Sequence, residues 1–166
     1  MLVESLGKQH DRASFSCGNP VLDEYLKQRA RQDAGRYVAA PFVLVPGPGG
    51  RTILGYYTLS SFAVDLSDLP QDTARKLPSY PNVPVTLLGR LAVDQRHARR
   101  GLGEFLLMDA LYRSLTQTSQ IAAVAVVVDA IDASAIRFYK HFNFMPFPDR
   151  SSRLFLPMQA IARLFG

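Results

Sequence analysis

Between Val85 and Val128 the chain carries a strand, a glycine turn, a helix and a second strand, and the glycine turn comes too late in the chain for a dinucleotide-binding Rossmann unit, which needs it after the first strand. Val85 to Val93 is apolar and bounded by polar residues, Asp94 to Arg100 follows, and a helical pattern runs from about Leu102 to Thr116. Ile121 to Val128 is a continuous apolar run of strand length with no polar alternation, the pattern of a strand buried on both faces with a parallel partner. Within this unit Arg99-Arg100-Gly101-Leu102-Gly103 falls where strand turns into helix. There, backbone N–H groups and the helix dipole face an anion. The glycines permit close backbone approach and the arginines add charge-assisted donors. Glycines also tighten ordinary strand-to-helix turns, so the spacing alone leaves phosphate binding and a plain turn both open.

Around this unit the pattern predicts a helix opened by Asn19-Pro20 and running to about Asp33, then a strand at Val38 to Val45. The turn Pro46 to Gly50 joins it to a strand at Thr52 to Leu59. A short helix is expected over Leu69 to Leu77, closed by Pro78 to Pro84, a segment that should lie outside any helix or central strand. Asp132 caps a helix reaching about His141, and Phe144 to Phe147 and Arg153 to Leu156 read as closing strands. With 166 residues, 48% hydrophobic and 20% charged, the expectation is one α/β (α+β) domain spanning residues 1–166, a central mixed sheet flanked by helices.

The lone Cys17 excludes an intramolecular disulfide and a cysteine-based metal cluster, and reads as a buried thiol. No apolar run approaches the roughly 18 residues that a membrane span needs, and Met1 to His10 carries Glu4, Lys8 and His10 in place of a secretory apolar core. A cytoplasmic protein with no membrane partner is expected. The net charge of +5 favours a polyanionic partner without requiring one. Arg90, Arg96, Arg99 and Arg100 form one basic cluster and Lys27, Arg29, Arg31 and Arg36 another, so two different anions could be served; a solvated face is the plain alternative for the second.

Leu88-Gly89-Arg90-Leu91-Ala92-Val93-Asp94, then Arg100-Gly101-Leu102-Gly103-Glu104, with Phe138-Tyr139 about 35 residues later, resembles the GNAT superfamily of N-acetyltransferases. The resemblance implies acetyl-CoA as co-substrate and no metal. Leu91, Ala92 and Val93 would hydrogen-bond the pantetheine arm, and Arg96, Arg99, Arg100, Gly101, Leu102, Gly103 and Glu104 would hold the pyrophosphate. The strand at Ile121 to Val128 would splay away to admit the thioester. One departure concerns the position three before the first glycine, where the family has Gln or Arg, commonly followed by Gly; here Ala98 and Arg99 stand. Either Arg96, Arg99 and Arg100 take over the lost contact or acetyl-CoA binds more weakly. Phe15-Ser16-Cys17-Gly18-Asn19, Gly55 to Ser60 and Leu154 to Met158, added to these motifs, resemble the TacT-type toxin acetyltransferases. That resemblance implies acetylation of the amino group of aminoacyl-tRNA, arrest of translation, a ribbon-helix-helix antitoxin and a homodimer.

Acyl transfer to an amine needs a neutral nucleophile, a polarised carbonyl and a proton for the departing thiolate. The resemblance places Tyr139 beside the sulfur as proton donor. A phenol near pKa 10 giving its proton to a thiolate near 8.5 is uphill by about 2 kcal/mol. Ala135, Phe138, Tyr139 and Phe142 follow i, i+3, i+4, i+7, so periodicity by itself makes Tyr139 a core residue. Ser134, in the first turn of the same helix, either reaches the cofactor or is a plain helix-start residue. No carboxylate or histidine presents itself as general base: Asp94 and Asp129 end their strands as turn or capping groups, His97 lies in the anion loop, and His10 and His141 fall in loops or helix ends. An α-amine, near pKa 7.7, would manage without one. Two other readings remain: a small-amine or protein N-terminal acetyltransferase, and a non-catalytic acyl-CoA- or RNA-binding module.

Overall fold

The computed structural model describes residues 1–166. Its strands β1 (Leu2–Ser5), β2 (Ala40–Val45), β3 (Gly55–Asp65), β4 (Asn82–Val93), β5 (Ala125–Asp129), β6 (Met145–Phe147) and β7 (Arg150–Pro157) form a seven-stranded sheet in the order β1-β2-β3-β4-β5-β7-β6. The sheet is mixed: β4 and β5 are parallel, while the β1–β2, β2–β3, β5–β7 and β6–β7 pairs are antiparallel. Six helices accompany it: α1 (Pro20–Gln28), α2 (Ala30–Gly35), α3 (Gln71–Arg75), α4 (Leu102–Gln117), α5 (Ala133–His141) and α6 (Met158–Leu164). None is long and apolar enough to cross a membrane. By internal packing the chain divides into two compact units, Met1–Ser60 with Gly89–Ala110, and Ser61–Leu88 with Leu111–Gly166.

In the first unit Asn19 starts α1 by accepting the N–H groups of Val21 and Leu22, with Pro20 at the first helical position. The helix expected to reach Asp33 breaks at Arg29, whose φ of −123° is not helical. The break redirects the chain so that Ala30 joins Leu26, Tyr25, Phe15, Tyr56 and Ala92 in one core cluster. After α2, Tyr37 has φ 60°; its N–H bonds Ala34 O and that of Val38 bonds Asp33 O, the left-handed helix stop that glycine usually fills. The Tyr37 side chain is 96% exposed and offsets none of the strain. A left-handed L-residue costs roughly 1–2 kcal/mol and glycine's extra unfolded-state freedom roughly 0.5–1, so Tyr37→Gly should stabilise the protein by roughly 0.5–1 kcal/mol in urea unfolding. The strand β1 is absent from the sequence reading because four residues, Leu-Val-Glu-Ser, carry no usable period. Its partner β2 begins at Ala40, two residues later than expected, and β3 extends beyond the expected end at Leu59 to Asp65.

In the second unit β5 is buried from Ala125 to Val128 between β4 and β7. It starts four residues later than the apolar run: Ile121 is 72% exposed and its N–H bonds Gln117 O in the turn that ends α4. Pro84, expected outside any central strand, lies in β4 as its third residue. It is tolerated because it is exposed and only its carbonyl is used, accepting the Val124 N–H at 2.9 Å. The helix expected over Leu69 to Leu77 shortens to α3, preceded by a 3-10 turn at Leu66–Asp68. Val64, Val83, Val85, Val127, Phe147 and Phe155 fill this unit's core.

Candidate functional site

The anion loop grows from the end of β4. Asp94, fully buried, accepts N–H bonds from Ser16 at 3.1 Å and Arg96 at 2.9 Å, and the Arg96 guanidinium at 3.0 and 3.1 Å. Burial pulls its pKa upward, but the Arg96 side chain and the two N–H groups more than offset that and hold it below the usual carboxylate range. Asp94 is therefore the capping group that strand position suggested, and it ties loop 14–16 to the turn. Its own N–H bonds Leu54 O, and that of Gln95 bonds Ser16 O.

Beyond Asp94 come a 3-10 turn at Gln95–His97, Arg99 at φ 63° and Gly101 at φ 73°. Arg99 occupies the position where the family pattern commonly has Gly, and it adopts the left-handed backbone that glycine would supply. The first bond of α4 is Phe105 N–H to Gly101 O, so the amides of Leu102, Gly103 and Glu104 have no acceptor within the helix. Leu102, Leu106 and Leu107 anchor this helix start in the interior. A Cβ built on Gly101 would meet nothing within 4 Å, so the turn has open room as well as donors. Donors, room and exposed Arg99 fit a pyrophosphate. The three arginines are unequal: Arg96 is committed to Asp94 and Ser14 O, Arg100 donates to His97 Nδ1 at 2.9 Å, and Arg99 makes no side-chain bond. Glu104, in the first turn of α4, offsets the dipole.

The strand Leu91 to Val93 has one open edge. The β4–β5 ladder runs from Thr86↔Val126 to Leu88↔Val128 and stops, while β4 continues to Val93. Gly55, to which the sequence reading gave no role, fixes the end of β4: a Cβ there would lie 2.6 Å from Leu106 Cδ1 and 2.9 Å from Ala92 O. The sequence signal for it is a glycine inside the strand expected at Thr52 to Leu59, a place where another backbone approaches closely. Arg90, expected in an anion cluster, instead stacks 3.5 Å from the centroid of the Tyr25 ring, and Tyr25 donates to Asp33.

In the second unit Asp132 caps α5 by accepting the Ala135 N–H at 2.8 Å. Ser134 is exposed in its first turn. Tyr139 is 6% exposed, with its ring against Phe138 and Phe144. The ring sits in the core, as the i, i+3, i+4, i+7 spacing requires, yet the hydroxyl is not used there. The other buried tyrosines each donate to the protein, Tyr25 to Asp33, Tyr56 to Leu22 O and Tyr57 to Asp109, whereas Tyr139 donates to nothing. No buried side-chain polar atom is orphaned, so the Tyr139 hydroxyl keeps contact with accessible space. Burial pushes its pKa upward, holding the proton on oxygen.

Of the other candidates for a base, His141 is exposed at the end of α5, while Asp129 and His10 are occupied. Asp129 pairs across β5 and β7 with Arg153 at 2.8 and 3.1 Å. His10 is buried, accepting the Gly7 N–H at Nδ1 and facing Glu4 through Nε2 at 2.8 Å. Burial pushes the Cys17 thiol to about 11, which removes it as a nucleophile. No group of three or more His, Cys, Asp or Glu side chains is placed to hold a metal ion.

Residues 80–153 match the FR47-like protein family. The chain is 38% identical over 156 residues to a tRNA-acetylating toxin of Mycobacterium tuberculosis (strain ATCC 25618 / H37Rv), covering 94% of this chain and 91% of that relative. Among solved structures it is similar to a tyrosine-to-phenylalanine mutant of KacT, with TM-score 0.93, 28% identity and coverage of 99% and 98% of the two chains. It also matches AtaT complexed with acetyl-methionyl-tRNAfMet (TM-score 0.90, 28% identity, 99% of each chain) and AtaTR bound with acetyl-CoA (TM-score 0.87, 28% identity, 99% and 98%). The open strand edge, the glycine turn and the free tyrosine hydroxyl thus sit in a sequence whose likeness to these proteins runs nearly end to end: the chain belongs to the TacT-like, tRNA-acetylating branch of the GNAT acetyltransferases.

Proposed function

We propose that this chain moves the acetyl group of acetyl-CoA onto the α-amino group of an aminoacyl-tRNA, blocking translation, with Tyr139 as proton donor. It would act as one catalytic domain over residues 1–166, as a homodimer, held in check by a ribbon-helix-helix antitoxin. The observation that carries the reading is the Tyr139 hydroxyl, uncommitted in a core whose other tyrosines are all hydrogen-bonded. AtaT's complex with acetyl-methionyl-tRNAfMet supports the substrate class, and its complex with the C-terminus of AtaR supports an antitoxin partner.

The residues divide the work as follows. The N–H groups of Leu102, Gly103 and Glu104, with the exposed Arg99 and Arg100, hold the pyrophosphate, and Arg96 acts through Asp94 to shape the loop. Ser134, exposed at the head of α5, is a further cofactor contact. The open edge at Leu91, Ala92 and Val93 holds the pantetheine arm, and a peptide N–H there receives the charge on the carbonyl oxygen. As the amine nitrogen bonds the carbonyl carbon and the C–S bond breaks, Tyr139 protonates the sulfur, and the proton that the nitrogen sheds to become an amide restores the phenol by way of solvent. With Asp94, Asp129 and His10 committed elsewhere, the amine must arrive neutral, which favours an α-amine over a lysine.

The pH profile of kcat/KM should therefore rise as pH approaches about 7.7, where an α-amine loses its proton, and then stay flat. A donor with an ordinary phenolic pKa would be lost near pH 10; burial raises that of Tyr139, so the protonated, active form persists beyond it. A fall in rate below pH 9 would exclude this assignment. The substrate is tested by transfer of labelled acetyl from acetyl-CoA to total charged tRNA, with deacylated tRNA as control. Label on the charged pool alone is expected. Label on small amines or protein N-termini instead would replace the substrate assignment.

A further inference from the structure

Arg12, Lys27 and Arg51, which the sequence scatters over 40 positions, surround one surface depression of about 580 Å³ in the first unit. The fold brings them together on purpose-built backbone contacts. Asp11 bridges Thr52 in parallel and its N–H bonds Arg51 O at 2.7 Å, joining the loop after β1 to the segment before β3. The Arg12 guanidinium donates through Nη1 to Lys27 O at 3.2 Å, which holds it against the end of α1. None of the three cations forms an ion pair. Asp11, in the same lining, accepts the Ser14 N–H and hydroxyl at 3.2 and 2.6 Å and also feels the Arg51 charge, while buried His10 lines the depression with its ring turned to the half-buried Glu4. Thr52 and Gln28 add neutral hydrogen-bonding groups to the lining.

We infer that this depression is a phosphate-backbone subsite for RNA, a second anion site distinct from the glycine turn. It deepens the proposed function, on which it rests for the identity of the RNA as charged tRNA. Three unpaired cations from three segments, concave around polar groups, suit the closely spaced charges of a nucleic-acid backbone. An acidic peptide would look for apolar anchors as well, and Ala13 is the sole apolar side chain in the lining.

The test is the salt dependence of deacylated total tRNA binding to the full chain, run beside steady-state acetylation of charged tRNA. Arg51→Gln alone is the conservative variant, because the Arg51 side chain makes no hydrogen bond, and the Arg12→Gln, Lys27→Gln, Arg51→Gln triple variant gives the full effect. The slope of log K against log salt should flatten by roughly 0.7–0.9 for the single variant and by roughly 2–3 for the triple. KM for charged tRNA should rise on the order of tenfold or more in the triple variant, with acetyl-CoA affinity unmoved. Unchanged slopes in both variants would overturn the inference. So would loss of affinity for polyglutamate with tRNA binding intact, which would make this an acidic-peptide site. If the native chain acetylates no charged tRNA yet its RNA slope depends on these residues, the subsite stands and the substrate assignment falls.

Discussion

Tyr139→Phe is expected to lower kcat by about 10²- to 10⁴-fold, the usual contribution of a positioned acid, while leaving acetyl-CoA affinity intact. The same substitution should leave stability nearly unchanged. The hydroxyl has no protein partner, so nothing is orphaned when it goes. Tyr25, Tyr56 and Tyr57 provide an internal contrast. Each donates to a carboxylate or carbonyl, and each should lose about 1–2 kcal/mol as phenylalanine. Turnover and urea unfolding of the four variants together separate chemistry from packing: a Tyr139 serving only the core would leave the rate untouched.

Asp94→Ala should have the largest effect on stability, about 2–3 kcal/mol, because a buried carboxylate gathering four hydrogen bonds disappears. The figure stays moderate because Arg96 is 58% exposed and water recovers its charge. The Ser16 N–H, by contrast, loses its acceptor, and loop 14–16 is released from the turn. KM for acetyl-CoA should then rise by about tenfold, the equivalent of about 1.4 kcal/mol. The pH dependence has a definite sign. The folded-state pKa lies below its unfolded value near 3.9, so the contribution is complete above about pH 4 and is lost as pH falls through the folded value. Acid unfolding curves of the native chain and Asp94→Ala should converge at low pH, and a constant offset would show that Asp94 acts through shape alone.

Much of the fold was legible because it obeys local rules. Asn19-Pro20 and Asp132 announce helix starts through capping, and the turn at Gly101 to Gly103 announces itself by composition. Other features depend on distant partners. The sequence cannot show that Ile121 falls outside β5, because its apolar character matches that of the strand it precedes. Nor can it show that Arg96 will be spent on Asp94 while Arg99 remains available, since the three arginines differ only in what folds beside them. Asp129 reads as a strand-end cap and becomes an ion pair because β7 places Arg153 opposite it. Gly55 matters through a steric limit set by Leu106 and Ala92, residues that lie far from it in the chain.

The ladder between β4 and β5 ends at Leu88, so the hydrogen-bonding capacity of Gly89 to Val93 on that side belongs to peptide groups. No side-chain replacement deletes a peptide group. A mutational scan across Leu91, Ala92 and Val93 would report volume and burial, and this stretch would be filed with the hydrophobic interior. Amide-to-ester exchange, one bond at a time, is the perturbation that would reveal it. A region whose tolerance to substitution looks like packing can thus owe its persistence to chemistry that the genetic code has no letter to change.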